Sequence, residues 1–330
     1  MSEIKSISTL ILSVCCLFVH AQTRRWVSIN TVNARPISMG GAFQSVEDSW
    51  AGMHWNPASF GNIPSGDNKQ YAVRLNPLAP VIMAKNINGV DHGLSPVALT
   101  FPGFFIWLDR VCIGILTGEE NLSDVSRLER NEIMNGSAYE WSRQLDIALR
   151  LRFAPRVSMG IAVQMNRQHP QLGGNRWGYR YGILIKPRAY FQAGLCYYNY
   201  ENQISDTRLN LERLPDETLN IGFALLPWHT LIISGDIRNV SDDQREASLE
   251  PHMGIEIRPI QAFSLRGGVY YRQDIDAYTY SGGIGVQTAP MDWGVRFFSK
   301  VSWGADITYV MENTLHNQIE WGFLNVFVTL

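Results

Sequence analysis

The chain has 330 residues, a formal net charge of −2 at pH 7 and four cysteines. This balance excludes a strongly basic nucleic-acid-binding surface, and so few cysteines exclude a disulfide-rich scaffold. Charged residues make up 18% of the chain and aromatic residues 11%, which is typical of a folded chain with much surface to bury and not of disorder.

The first 21 residues have the features of a secretory leader. Lys5 precedes an apolar stretch over residues 7–18, and Ala21 followed by Gln22 offers a cleavage site. The stretch is shorter than the about 20 apolar residues that a spanning helix needs. We therefore expect residues 1–21 to be removed as a signal peptide when the protein is exported.

Two cysteines lie in this leader. A lipoprotein processed at Cys15 or Cys16 is the alternative, but Val14 and Cys15 are not the small residues that such processing prefers. The mature chain would keep Cys112 and Cys196 on separate predicted strands. We expect both to be free, buried thiols.

Residues 22–68 lack the alternation of strands and are rich in turn-forming residues. Gly40 and Gly41 allow a positive φ and close backbone approach. Asp48 can accept hydrogen bonds from backbone N–H groups in a turn, and Pro57 ends any helix and holds the residue before it extended. These features predict a compact, irregular segment ahead of the first strand.

The rest of the chain, residues 69–330, alternates apolar and polar residues. Within 301–310, for example, Trp303 and Ile307 share one face and Asp306 lies on the other. About fourteen segments show this period, and they lie near 69–75, 95–108, 110–117, 142–152, 156–166, 177–186, 190–201, 217–226, 230–239, 251–259, 262–272, 277–287, 291–311 and 318–328.

The connections between these segments alternate in length. Several are tight turns, such as Ala154-Pro155, whereas long polar stretches occupy 118–140, 202–216 and 240–250. Short turns on one rim and long loops on the other are typical of outer-membrane barrels. We therefore predict an all-β fold, a transmembrane antiparallel barrel of about fourteen strands over residues 69–330.

An exported β-sandwich or propeller is the alternative, because strands on a dry core also alternate. Two features favour the barrel. The polar faces are rich in glycine and carry arginine and aspartate at mid-strand positions, where a solvated sheet would carry lysine, glutamate and threonine. Aromatic residues near strand ends match the girdles at a membrane interface, namely Trp141, Trp177, Tyr278 and Tyr280.

The segment ahead of the barrel contains the most specific motifs. It reads Ala34-Arg35, then Met39-Gly40-Gly41-Ala42, then an acidic turn at Asp48, then Asn56-Pro57-Ala58. This order resembles the amino-terminal signature of the FadL-like outer-membrane family, including its PorV-like relatives. Weaker resemblance continues in residues 252–259 and 263–268.

The resemblance implies that residues 22–68 form a hatch, which blocks the barrel lumen and shifts when a ligand binds. A purely structural plug without a ligand remains the alternative. The residues implied in the hatch are Arg35, Met39, Gly40, Gly41, Phe43, Trp50, Trp55, Asn56 and Pro57.

Charged residues on the polar strand faces are expected to line the lumen, because Arg or Lys at the lipid midplane costs about 2–4 kcal/mol. They would either pair with one another across the lumen or bind a carboxylate or phosphate headgroup through their arginines. The main candidates are Arg150, Arg180, Asp236, Arg238, Glu256, Arg258, Arg266 and Asp306.

The carboxyl end leaves the orientation of the last strand open. Outer-membrane barrels usually finish on an aromatic residue, but this chain ends on Leu330. Phe323 and Phe327 lie on one face of the predicted strand, and Leu324 and Val326 lie on the other.

No enzymatic pattern is present in the sequence. The histidines lack zinc-ligand spacing, and neither a Gly-x-Ser-x-Gly elbow nor a phosphate-binding loop occurs. We expect no catalytic residue, no cofactor and no metal, although a barrel lipase with one serine and one histidine would leave no pattern.

The sequence and the resemblance together predict an outer-membrane channel for passive uptake of hydrophobic or amphipathic small molecules, similar to fatty acids. The alternative is a PorV-like component of a protein secretion or surface-attachment system. The expected partners are outer-membrane lipid and either a hydrophobic small molecule or secretion-system proteins, with no nucleic acid.

Overall fold

The structure is a computed structural model that describes residues 34–48, 50–61, 71–85, 100–108, 110–120, 142–167, 175–200, 217–238, 240, 249–272, 277–295, 298–313 and 318–330. The predicted leader, the cleavage site before Gln22, Trp141 and most of the long polar stretches lie outside these residues. Within the described ranges, no helix is both long and apolar enough to cross a membrane.

Two short helices precede fifteen strands in the described residues. The helices are α1 (Ala34–Ser38) and α2 (Ala51–Trp55). The strands are β1 (Tyr71–Lys85), β2 (Thr100–Leu108), β3 (Val111–Glu120), β4 (Ser142–Ala154), β5 (Val157–Arg167), β6 (Asn175–Arg188), β7 (Phe191–Tyr200), β8 (Glu217–Trp228), β9 (Leu231–Arg238), β10 (Glu250–Ile260), β11 (Phe263–Arg272), β12 (Ala277–Gln287), β13 (Met291–Val295), β14 (Phe298–Asn313) and β15 (Gln318–Thr329).

The strands pair in antiparallel fashion with their neighbours in sequence, from β1 to β12. β1 also pairs with β15, β15 pairs with β14, and β14 pairs with β12 along ten residue positions from Gln287↔Gly304 to Tyr278↔Asn313. Within the described residues, the pairings thus run through fourteen strands and return to the first. The short β13 pairs only with the start of β14.

Burial alternates along the strands with a period of two. In β14, Ile307 is 52% exposed and Trp303 is 37% exposed, whereas Asp306 is 6% exposed. In β4, Ile147 and Leu149 are likewise exposed on the outer surface. The outer surface of the barrel is therefore apolar and suited to lipid, and the polar residues of the strands point inward.

The structure confirms the predicted barrel and most strand positions. Three of the four aromatic residues expected at a membrane interface, Trp177, Tyr278 and Tyr280, are exposed on the outer surface. Two segments differ from the prediction: the first strand extends to Lys85 instead of ending near residue 75, and residues 291–311 divide into β13 and β14.

The last strand has a definite orientation in the structure. Asn325, which is buried, pairs with the inward Asp306, and Val328 pairs with the outward Trp303. The aliphatic face that includes Leu324 therefore points toward lipid. Cys112 and Cys196 are free and buried, as expected.

Candidate functional site

The described amino-terminal residues 34–48 and 50–61, here called the plug, lie inside the barrel. α1 contacts β11, β12 and β14, and α2 contacts β4 on another side of the barrel. Nearly all described plug residues are buried. The plug therefore occupies the lumen between opposing parts of the wall.

Inward-facing glycines let the plug backbone touch the wall. A Cβ atom on Gly160 of β5 would lie 2.1 Å from the carbonyl carbon and oxygen of Pro57. A Cβ atom on Gly268 of β11 would lie 2.0 Å from the backbone nitrogen of Gly40. Because real Cβ atoms do not approach so closely, the glycines on the polar strand faces are required for this fit.

Turn-forming residues shape the plug as the sequence predicts. Gly40 and Gly41 have φ values of 62° and 72°, and both follow the end of α1. The Asp48 carboxylate accepts hydrogen bonds from the backbone N–H groups of Trp50 and Ala51, at 2.7 and 2.9 Å. Asn56 is extended, with φ −147° and ψ 107°, so α2 ends before Pro57.

A cluster of ionic side chains joins the plug to β10, β11 and β14. We call it the Glu256 cluster, and it consists of Asp48, Arg35, Glu256, Arg258, Arg266 and Asp306. Arg35 bridges Asp48 at 2.5 Å and Glu256 at 2.6 Å. Arg266 bridges Glu256 at 2.9 Å and Asp306 at 2.7 Å, and Arg258 approaches Glu256 at 2.6 Å.

The two plug residues of this cluster are held in their charged forms. Burial alone would lower the pKa of Arg35, but the carboxylates of Glu256 and Asp48 raise its pKa above the ordinary value. Burial alone would raise the pKa of Asp48, but Arg35 and the backbone N–H groups of Trp50 and Ala51 lower it. The plug is therefore docked here by full charges.

A second ionic group lies on the opposite side of the plug, at β4 and β6. Arg180 lies 2.8 Å from Asp146, and both side chains are fully buried. His54 of α2 lies 3.2 Å from the same carboxylate, and Arg180 also donates to the backbone oxygen of His54. The buried charges are thus paired with one another and with the plug, as buried charges require.

Plug residue Glu47 links the plug to two cations of the wall. It lies 2.8 Å from Arg150 and also forms an ion pair with Lys186. Arg150 in addition donates a hydrogen bond to the backbone oxygen of Phe60. One wall cation therefore holds both the middle and the end of the plug.

The turn around Gly40 and Gly41 is bound by β9 and β10. The Asp236 carboxylate accepts hydrogen bonds from the backbone N–H groups of Phe43 and Gln44, at 2.6 and 2.9 Å. Arg238 donates to the backbone oxygen of Gly41. Asp236 and Arg238 thus bind the plug main chain itself, so this docking depends little on the plug's side chains.

Comparison with known proteins gives structural matches only. No protein-family model and no curated protein matches the chain. Its structure is similar to the CymD monoaromatic hydrocarbon channel, at 13% identity and a TM-score of 0.57 over 90% of this chain and 96% of that one. It is also similar to the toluene transporter TbuX of Ralstonia pickettii (14% identity, TM-score 0.53, 93% and 98% covered) and to a FadL homologue of Pseudomonas aeruginosa (12%, 0.50, 93% and 99%).

The chain has the fold of the FadL-like outer-membrane barrels. The predicted fold is thereby confirmed, and it agrees with the resemblance to the FadL-like family drawn from residues 34–58. In this FadL-like barrel the motif residues lie in the lumen: Arg35 in the Glu256 cluster, Met39 to Gly41 against β10 and β11, and Asn56 and Pro57 against β5 and β6.

The structure places the candidate lumen charges at the plug or beside its ionic partners. Six of them are buried, Arg266 is partly buried, and Arg258, whose side chain is 42% exposed, lies at the margin of the Glu256 cluster. The candidate hatch residues Phe43, Trp50 and Trp55 are buried within the plug or against the wall.

Other contacts of the plug were not singled out by the sequence. Ser158 donates to the backbone oxygen of Ala58 at 2.8 Å, and Thr308 donates to that of Ala34 at 3.2 Å. Tyr198 donates to the backbone oxygen of Trp55. These uncharged side chains also point into the lumen. The alternation of inward and outward residues along each strand was therefore the signal that could have found them.

The arrangement is suited to holding a segment inside the barrel. Among the described residues, no group of three or more His, Cys, Asp and Glu side chains is placed to hold a metal. The contacts of the plug are hydrogen bonds, ion pairs and apolar packing, all of which can break and reform. The plug is therefore held in the lumen by reversible, non-covalent contacts.

Proposed function

We propose that this protein is an outer-membrane channel for the passive uptake of hydrophobic or amphipathic small molecules, with the plug as its hatch. The observation that carries the proposal is a plug filling the lumen of a barrel whose fold is shared with a monoaromatic hydrocarbon channel and a toluene transporter. The mature chain would begin near Gln22, after removal of the leader.

The hatch role is supported by the way the plug is bound. Its polar contacts lie on separate strands, with Glu256 on β10, Arg180 on β6 and Arg150 on β4. Water can replace such contacts one after another, so the plug can leave one part of the wall while another part still holds it. Partial release would open a path along the vacated wall.

We also propose that the protein acts without catalysis. Its charged residues pair with the plug, and uptake down a concentration gradient requires no covalent step. The class of ligand depends on which molecules make favourable contacts with the inner wall once the plug has left it. We include both fatty acids and single-ring aromatic molecules in this class.

Uptake by whole cells tests this proposal. A host that lacks its own channel for hydrophobic molecules would express the protein, and the initial uptake rates of labelled toluene, labelled oleate and labelled glucose would be measured. We expect toluene or oleate uptake to rise several-fold over cells with an empty vector and glucose uptake to stay unchanged. Equal uptake of the two hydrophobic solutes with and without the protein would refute the proposal.

The second candidate function is a PorV-like component of a secretion or surface-attachment system. It is favoured by the ionic bonds on both sides of the plug, because a barrel that only binds proteins through its loops benefits from a permanently sealed lumen. In that case, the protein should purify from mild detergent in a larger complex with exported proteins, and the cells should show no uptake.

A further inference from the structure

The apolar contacts of the plug fall into two groups that differ in composition. One group consists mainly of plug residues, which pack on one another and on Ala224, Leu226 and Ile232 of the wall. The other joins plug residues Trp50, Met53 and Phe60 to the wall. We call the wall residues of this second group the wall patch, and they are Phe105, Trp107, Cys112, Leu116, Ala148 and Ala162.

The wall patch continues across four neighbouring strands at one level of the barrel. Phe105 pairs with Gly114, Gly114 with Ala148, and Ala148 with Ala162. The next residue in this row is Arg180, which ends the apolar stretch. At this level of the barrel, the inward face of β2 to β5 is therefore apolar, whereas the next strand, β6, carries the charged Arg180.

The small residues of this row form a shallow depression that the plug fills. A Cβ atom on Gly114 would lie 2.4 Å from the Met53 sulfur and 3.0 Å from the Phe60 ring. The Trp50 ring lies against Phe105, with ring centroids 4.8 Å apart and an interplanar angle of 56°. This tilted geometry is one that aromatic pairs prefer.

We propose that the wall patch is a binding site for apolar aromatic ligands, which take the place of the Trp50 ring on Phe105. The proposal rests on the proposed function, because the plug must leave the patch. When α2 withdraws, Phe105, Leu116 and the alanines lose their apolar contacts, and a ligand of one aromatic ring restores them. A polar solute would restore none of them.

Three variants separate a ligand site from a mere packing contact. Trp50→Ala empties the place on Phe105, Leu116→Asn makes the patch polar with the same number and branching of side-chain heavy atoms, and Trp55→Ala is the control. Trp50 and Trp55 are equally buried at 5% exposure, but Trp55 packs on Phe43 of the plug and under Arg238 of β9, away from the wall patch. Folding of each barrel is checked by heat-dependent mobility in gels, and Ala148→Ser is the second wall variant if Leu116→Asn fails to assemble.

Binding is measured with phenyl diazirine, a photoreactive probe of one aromatic ring, and adducts are located by mass spectrometry with and without excess toluene. We expect Trp50→Ala to increase toluene-protected adducts on residues 103–116 about tenfold, and Leu116→Asn in the Trp50→Ala background to reverse this increase. Trp55→Ala loosens the plug without emptying the place on Phe105, so it should give far fewer of these adducts than Trp50→Ala. Adducts on 103–116 that toluene does not protect, or equal labelling in both tryptophan variants, would overturn the proposal.

Uptake of toluene and ion conductance complete the test. We expect Leu116→Asn to lower toluene uptake several-fold without lowering conductance. If it raises both, the patch only packs the plug and the proposal falls. Protected labelling without cellular uptake by the parent would retain the site and refute the channel function, so the two failures are distinguishable.

Discussion

Substitution of Gly268 by alanine should weaken plug docking, and substitution of its neighbour Gly267 should not. A Cβ atom on Gly268 would lie 2.0 Å from the nitrogen of Gly40 and 2.2 Å from the carbonyl carbon of Met39. On Gly267, which points the other way, it would meet no atom closer than 3.7 Å. Overpacking of this kind costs about 1–3 kcal/mol. Since each 1.4 kcal/mol changes an equilibrium constant tenfold, the undocked population of the plug should rise about 5- to 150-fold.

Hydrogen exchange of the plug amides measures this change directly. The N–H groups of Gly40, Phe43 and Gln44 donate hydrogen bonds to Ser281 and Asp236 of the wall, so they are protected while the plug is docked. In Gly268→Ala their exchange should accelerate by the factor given above, whereas Gly267→Ala should exchange like the parent. Gly→Ala alters the strand's own preferences equally at both positions, so the control removes that effect. Equal exchange rates in the two variants would refute the close contact between plug and wall.

Three further predictions follow from the orientation of the strands and from the Glu256 cluster. Ile307→Arg should impair barrel assembly, at a cost of about 2–4 kcal/mol, whereas Thr308→Arg on the inward face should still assemble in a heat-mobility gel; equal tolerance would contradict the facing assignment. Glu256→Gln should destabilise plug docking by about 3 kcal/mol, seen as faster amide exchange, because three buried or partly buried arginines lose a common partner; unchanged exchange would argue against an ionic latch. The pKa of Asp48 lies below its ordinary 3.8, so the contribution of Asp48 to docking should be complete above about pH 4 and should be lost as the pH falls through the lowered pKa. Asp48→Asn should abolish this loss of docking in acid. If docking still weakens in acid in the variant, another group is responsible.

The period of two was sufficient to place most strands and to assign their faces. Residues 156–166 were predicted as a strand, and the structure has Val157–Arg167. The prediction failed where alternation is interrupted. Pro77 and Pro80 break the pattern of β1, and the pairing of β1 with β15 shifts register between Leu75 and Leu78 and again between Leu78 and Val81. Proline cannot donate to a strand ladder, so the sequence there does not resemble a strand.

Candidate site residues could be predicted by type but not by partner. Asp306 and Arg266 were assigned to the lumen because a charge on the lipid face is unfavourable. That Arg35 binds Glu256, 221 residues away, depends on how the plug is seated in the closed barrel, and no local pattern encodes it. The same limit applies to the wall patch, since Ala148 and Gly114 are unremarkable until pairing brings them together.

A reversible crosslink between plug and wall tests the central claim that uptake requires movement of the plug. In Met53→Cys/Gly114→Cys, made in a Cys112→Ser background, the new thiol on residue 53 takes the place of the Met53 Cγ. That position is 3.4 Å from a Cβ atom on Gly114, close to the geometry that a disulfide requires. Removal of the methionine sulfur also relieves the contact that a side chain at Gly114 would otherwise make.

Initial toluene uptake is then measured in oxidised cells, after addition of reductant, and in the two single-cysteine variants. The account predicts that the oxidised double variant takes up no more toluene than cells with an empty vector, that reductant raises its uptake to the rate of the single variants, and that the single variants do not respond to oxidation. Undiminished uptake with the crosslink verified by mass spectrometry would contradict the account, because the ligand would then pass a plug that cannot leave the wall.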